Sequence, residues 1–171
     1  MKEKTRLFAV LIFLMGIAGI FILYLSWPSI TGKTMVLAIR PVDPFDVLRG
    51  QYIILNYDIS SLPEIQDANE GDGIYVSLEK DGSNVWRFSS ASLEKPLGGD
   101  FIKGIIEYKS QGRIRVKYGI EQFFFERDAS FDSREMTVEV KVSSSGQARI
   151  SRLLKDGKPI EISYKVPKLT S

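Results

Sequence analysis

The sequence predicts an all-β domain, built as an antiparallel β-sandwich or barrel, after one amino-terminal transmembrane helix. Three observations predict it: one long apolar segment near the amino terminus, short runs of alternating apolar and polar residues after it, and turn signals between those runs. The chain has 171 residues, enough for one domain and an appendage but too few for two ordinary domains.

The apolar segment runs from Leu7 to Trp27 and contains no charged residue. At about 1.5 Å per helical residue it is roughly 31 Å long, which matches the hydrocarbon core of a bilayer. Lys2, Lys4 and Arg6 precede it, and basic flanks stay on the cytoplasmic side. We therefore predict a single-pass protein of the cell membrane, with a cytoplasmic terminus at 1–6, an anchor at 7–27, a linker at 28–33 and an extracytoplasmic β domain at 34–171.

Two alternatives compete with an uncleaved anchor. The apolar part of a cleaved signal peptide is normally about 7–15 residues long and ends at a small-x-small site. This segment is longer, and the residues from Tyr24 to Ile30 offer no such site. A buried core helix is disfavoured because the segment is apolar on every face.

Period-two patterns predict nine strands in the exported part. Turn signals at Asp81-Gly82, Gln111-Gly112, Ser145-Gly146 and Asp156-Gly157 predict hairpins. We also expect one helical turn around Ile120–Glu126, and a central position for the second strand because both its faces are apolar. The predicted strands are Thr34–Arg40, Gln51–Ile59, Ile74–Leu78, Val85–Ser90, Phe101–Tyr108, Arg113–Tyr118, Met136–Val142, Ala148–Leu154 and Ile160–Val166.

Composition excludes several kinds of chemistry. The chain has no histidine and no cysteine, which removes histidine-dependent catalysis, thiol chemistry, disulfides and the commonest metal ligands. Its formal net charge of +2 is too small to indicate a nucleic-acid partner. We expect no cofactor and no metal.

The segment from Pro41 to Tyr57 carries the highest density of special residues. Its prolines restrict the backbone, and Asp43 and Asp46 are suited to accept backbone N–H groups in turns. Gly50 permits a conformation that strains other residues, and Arg49 can pair with either aspartate. One interpretation is a tight corner that aims the following strand; the other is a small anion or peptide site that includes Tyr52. Local turn chemistry explains each residue type, which favours the corner.

Residues 50–57, 101–104 and 118–124 form three ordered blocks that resemble the GDYXXLXY protein family. Gly50-Gln51-Tyr52-Ile53-Ile54-Leu55-Asn56-Tyr57 is similar to its signature, while Phe101–Gly104 and Tyr118–Phe124 are similar to later blocks. The resemblance implies a small, bacterial, membrane-anchored protein of unestablished role, with Tyr52, Leu55 and Tyr57 as motif residues. Gln51 replaces the signature aspartate, which argues against acid–base chemistry or metal binding at that position. An amide oxygen still accepts hydrogen bonds, so a structural role survives the change.

A second resemblance, to the type I signal peptidases, supplies an enzymatic alternative. Residues 127–134 resemble one peptidase box, and the implied Ser–Lys pair is Ser29 as nucleophile and Lys103 as base. A lysine base has to be desolvated so that its pKa falls toward the working pH. The residues after Ser29 depart from the family pattern, and the residues that normally precede the last box are absent.

The sequence therefore favours a membrane-anchored, extracytoplasmic binding or scaffolding module over an enzyme. The expected partners are the lipid bilayer and another membrane protein, and nucleic acid is not among them. A signal-peptidase-like Ser/Lys membrane protease is the alternative.

Overall fold

The computed structural model describes residues 2–40, 52–124, 129–130, 136–160 and 163–164. Side chains are described for residues 8–24, 32–40, 53–124 and 136–160. The predicted corner from Pro41 to Gln51 lies outside the described residues.

A single α-helix, α1, covers Lys2–Thr31. Its described side chains, at residues 8–24, are all exposed, although nearly all of them are apolar. Within the described part of the chain, no helix combines the length and the apolarity that crossing a membrane requires. The two ends of the predicted anchor, residue 7 and residues 25–27, lie outside the described side chains, and the anchor stays a prediction.

Thirteen strands follow the helix in the described residues. A 3-10 turn at Asp58–Ser60 separates the second strand from the third. The strands are β1 (Lys33–Ala38), β2 (Tyr52–Ile54), β3 (Ser61–Pro63), β4 (Gly73–Lys80), β5 (Trp86–Ser92), β6 (Phe101–Ser110), β7 (Arg113–Lys117), β8 (Gln122–Phe124), β9 (Ala129–Ser130), β10 (Met136–Val142), β11 (Ala148–Lys155), β12 (Lys158–Pro159) and β13 (Ser163–Tyr164).

Nine of these strands form one mixed sheet in the order β12-β11-β10-β1-β5-β4-β6-β7-β3. β2 pairs with β8, and β9 pairs with β13, in two small sheets. The prediction of an all-β domain is confirmed. The pairing is antiparallel throughout the described strands except between β1 and β5, which are parallel. The finer expectation, a sandwich or a barrel, stays a prediction.

One face of the large sheet buries the hydrophobic core. β10 shows the pattern, since Met136, Val138, Val140 and Val142 are buried and the residues between them are partly exposed. β4 and β7 alternate in the same way and contribute to the same cluster. The basic and polar side chains of these strands therefore lie on the opposite, outer face.

The strand predicted at Gln51–Ile59 is wrong in its second half. β2 ends at Ile54, Tyr57 forms only an isolated bridge with Ile39, and the chain then enters the 3-10 turn. The predicted central position is also wrong in the described residues, because β2 pairs with β8 alone and Ile54 is 48 % exposed. Asn56 explains the break: its carbonyl accepts the Arg40 N–H, which ties this segment to the end of β1.

The helical turn expected at Ile120–Glu126 is also wrong. Residues 122–124 form β8 and pair with β2, so the three consecutive phenylalanines begin in a strand, and Glu126 lies outside the described residues. The predicted hairpin turns are confirmed. Asp156 and Gly157 have φ of 51° and 74°, and Gln111 and Gly112 have φ of 51° and 71°, as a tight primed turn requires.

The turn between β10 and β11 folds back onto β6. The Lys103 N–H donates to the Gly146 carbonyl at 2.8 Å. Gly146 has φ of +85°, and a Cβ at this position would lie 2.8 Å from the Phe101 ring. Glycine is therefore required both by the backbone conformation and by the close approach. This contact brings the start of β11 beside the start of β6 and the end of β7.

Candidate functional site

The signature residues Leu55 and Tyr57 lie in the core, and each is 0 % exposed. The Tyr57 hydroxyl donates to the Ile120 carbonyl at 2.7 Å. The Leu55 N–H donates to the Glu121 carbonyl, also at 2.7 Å. The described end of the signature therefore fixes a distant segment of the chain in place.

A second tyrosine makes the reciprocal connection. The Tyr118 hydroxyl donates to the Ile59 carbonyl at 2.5 Å, so each of two crossing segments, 55–60 and 118–121, sends a tyrosine to the backbone of the other. We call this pair, Tyr57 and Tyr118, the tyrosine clasp. Burial raises the pKa of both phenols far above the usual range, and the nearby Glu121 carboxylate adds to the shift. The clasp hydroxyls therefore act as neutral hydrogen-bond donors.

Most of the remaining signature residues cannot be placed. Asp43, Asp46, Arg49, Gly50 and Gln51 lie outside the described residues. Tyr52 begins β2, where its backbone pairs with Phe124, and its side chain lies outside the described set. The choice between a corner and an anion site at these positions stays open, whereas Leu55 and Tyr57 have a structural role.

Only one of the two residues of the enzymatic alternative has a described side chain. Ser29 lies near the end of α1, and its side chain is outside the described set. Lys103 lies on the exposed face of β6, with its Nζ 5.6 Å from the centre of the Tyr75 ring. The described residues therefore do not test the pair of Ser29 and Lys103, and it stays a prediction.

Residues at or near the ends of three strands line an open groove. Its volume is about 520 Å³. We call it the basic groove, because Lys103, Lys117 and Arg149 approach it from three different strands. The bond between the Lys103 N–H and the Gly146 carbonyl joins β6 to the turn before β11 beside the groove. The lining residues are Lys103, Gly104 and Ile105 of β6, Lys117 of β7 with Tyr118, Gly119 and Glu121 after it, and Gln147, Ala148 and Arg149 at the start of β11.

The charges of the basic groove are partly neutralised. Lys117 forms a salt bridge with Glu107, and the Glu121 carboxylate accepts the Tyr118 N–H at 2.5 Å. Among the described residues, neither Lys103 nor Arg149 forms a salt bridge. In the described part of the chain the groove thus presents two cations without a salt bridge, of which Lys103 also lies over the Tyr75 ring. Ile105, which is 55 % exposed, adds an apolar surface to the lining.

Sequence reasoning identified Lys103 for another role and missed Lys117 and Arg149. Their signal in the sequence is weak, because basic residues at alternate strand positions are typical of any solvated outer face. The fold alone shows that they meet. Among the described residues, no group of three or more His, Cys, Asp or Glu side chains could hold a metal ion.

A smaller groove of about 330 Å³ lies next to the end of α1, between the start of β1 and the loop that precedes β6. Here Lys33 forms a salt bridge with Asp100 at 2.6 Å, and its Nζ lies 4.9 Å from the centre of the Trp86 ring. Its charge is already satisfied, so this groove offers less to a ligand than the basic groove.

Comparison with known proteins gives one result. A family model described as GDYXXLXY protein matches residues 14–153, which is most of the chain. No curated protein and no solved structure matches the chain.

Proposed function

Since the chain belongs to the GDYXXLXY protein family, we propose that it is a membrane-anchored, extracytoplasmic binding or scaffolding module rather than an enzyme. The observation that carries the proposal is where the signature side chains lie. Leu55 and Tyr57 are buried and build the fold, whereas the concave polar surface, the basic groove, is formed by other strands. A signature of this kind maintains a scaffold, and a scaffold that presents an open groove is suited to binding.

The anchor rests on the amino-terminal sequence. Residues 7–27 contain no charge, three basic residues precede them, and α1 is continuous through the whole segment. A helix with apolar side chains exposed on all faces has an unfavourable surface in water, and a bilayer removes that cost. The basic flank places residues 1–6 in the cytoplasm and the β domain outside it.

The absence of cysteine makes the topology directly testable. A single cysteine introduced as Ser145→Cys should react with a membrane-impermeant maleimide in intact cells. The same change at Glu3→Cys should give reaction only after lysis. Recovery of the chain in the soluble fraction, or labelling of Glu3→Cys in intact cells, would contradict the proposal.

Binding at the groove is tested with the same chemistry. We expect Gln147→Cys, which lies on the groove, to react several times more slowly in native membranes than after extraction in detergent. Lys158→Cys is the matched control, because Lys158 is exposed at the opposite end of β11 and β12. Equal rates for Gln147→Cys in both preparations would show that nothing occupies the groove.

A further inference from the structure

We propose that the basic groove binds the phosphate-bearing headgroup of an anionic phospholipid, and that the β domain thereby docks on the membrane in which it is anchored. This inference rests on the proposed anchor. It adds a ligand class to the groove and a fixed orientation to the domain.

The first step is the position of the groove relative to the end of α1. The helix ends at Thr31 and β1 begins at Lys33, so a single residue separates them. Lys33 pairs with Val142 of β10, and Val142 pairs with Ala148 of β11. Ala148 lines the groove. The groove therefore lies at the row of paired residues Lys33, Val142 and Ala148, which is the row of the sheet that begins directly after the helix.

The second step is the distance from the bilayer. Four helical residues from Trp27 to Thr31 add about 6 Å, and two extended residues to Lys33 add about 7 Å. The row of Lys33 is therefore at most about 13 Å beyond the predicted end of the anchor. The headgroup layer is about 5–8 Å thick on each side of the hydrocarbon core. The remaining gap is comparable with the Debye length of about 8 Å at physiological salt, so charges in this row interact with headgroups.

The third step is the chemistry of the groove. Lys103 and Arg149 form no salt bridge in the described residues, and Arg149 can offer two parallel N–H donors to a phosphate. Ile105 supplies exposed apolar surface beside them, which suits the glycerol and upper acyl region of a lipid. Glu121 also lines the groove and opposes part of its positive charge, but the three cations outnumber it.

Tethering favours a lipid over an acidic peptide as the occupant. A short linker to the anchor holds the groove at the membrane surface, where the effective concentration of headgroups is in the millimolar range. Weak contacts with an exposed, two-cation site are then sufficient. An acidic segment of a partner protein has the same charge but no such advantage in concentration.

The test uses the full chain, labelled through Gln147→Cys with an environment-sensitive fluorophore, in phosphatidylcholine micelles. Phosphatidylglycerol is titrated into the micelles, and a saturable change in fluorescence is expected. Replacing both cations, Lys103→Gln with Arg149→Gln, should raise the half-saturating lipid fraction by about fivefold for each cation removed.

The matched control also removes one lysine and one arginine, by Lys158→Gln with Arg113→Gln. Both residues are exposed and lie at the end of the sheet away from Lys33. Circular dichroism should show native strand content in both double variants. A shift in the control as large as in the groove variant would overturn the proposal, because it would indicate general surface electrostatics.

Other ligands give distinct outcomes. If inorganic phosphate saturates the response in pure phosphatidylcholine micelles, the site takes free phosphate and the lipid assignment is wrong. If a polyglutamate peptide gives the response and phosphatidylglycerol does not, the partner is a protein segment. Flotation with phosphatidylcholine vesicles tests the anchor separately. If the chain floats and Gln147→Cys is labelled slowly, but phosphatidylglycerol does not change the fluorescence, the proposed function holds and the lipid assignment is wrong.

Discussion

Replacing Tyr57 by Phe removes one oxygen atom from the tyrosine clasp and nothing else. The hydroxyl donates to the Ile120 carbonyl at 2.7 Å, and the tyrosine is completely buried. Phenylalanine keeps the ring and its packing, but it leaves the carbonyl without this donor. Leaving a buried acceptor unsatisfied costs about 1–3 kcal/mol. We expect Tyr57→Phe to lower the free energy of unfolding by that amount.

Thermal unfolding of the full chain, followed by far-ultraviolet circular dichroism, measures the effect. For a chain of 171 residues each kcal/mol shifts the midpoint by about 2–4 °C, so the expected decrease is about 2–12 °C. Tyr108→Phe is the matched control, since Tyr108 is 48 % exposed and its hydroxyl is in reach of water. If both variants unfold at the wild-type temperature, the clasp does not stabilise the domain and the structural assignment of the signature fails.

Three further predictions concern the same fold. The free energy of unfolding should fall as the pH rises above about 10, by about 1.4 kcal/mol per pH unit for each clasp tyrosine. The reason is that the phenols ionise at this pH in the unfolded chain, whereas buried Tyr57 and Tyr118 keep their protons. Urea titrations at a series of pH values should show a smaller slope for Tyr57→Phe. Gly104→Ala should destabilise the domain by about 1–3 kcal/mol or prevent folding, because a Cβ at this position would collide with β7. Gly73→Ala is the control in the same urea titration, since a Cβ there would make only an ordinary contact at 3.7 Å. The pKa of Asp81 is lowered by hydrogen bonds, first from an arginine side chain and then from the backbone. Asp81→Asn should therefore lower the unfolding temperature at neutral pH, and the difference from the wild type should disappear as the pH falls below about 4. Thermal unfolding at a series of pH values measures this difference.

Local patterns predicted the strands well where one face is buried. The sequence from Met136 to Val142 alternates strictly, and β10 has those bounds. The dipeptides at 111–112 and 156–157 predicted their turns, because each places residues that tolerate positive φ where the turn needs them. These features depend only on neighbours in the chain.

Features set by distant partners could not be predicted. The apolar run through Ile59 predicted one long strand, but after Ile54 the partner changes, and the Asn56 carbonyl accepts the Arg40 N–H just beyond β1. The basic groove depends on Gly146 meeting Lys103, a contact between residues more than forty positions apart in sequence. No local pattern carries that information, and single basic residues on a strand do not indicate a shared site.

The pairing of β1 with β10 has a consequence for how the domain is made. Lys33 pairs with Val142, and the rest of the ladder between the two strands spans a similarly long stretch of chain. Synthesis proceeds at about 5–20 residues per second, so β1 is complete roughly 5–20 s before its partner exists. During that interval its unpaired edge can join the wrong strand or another chain. Closing so long a loop also slows folding, so the first strand made is among the last to be secured.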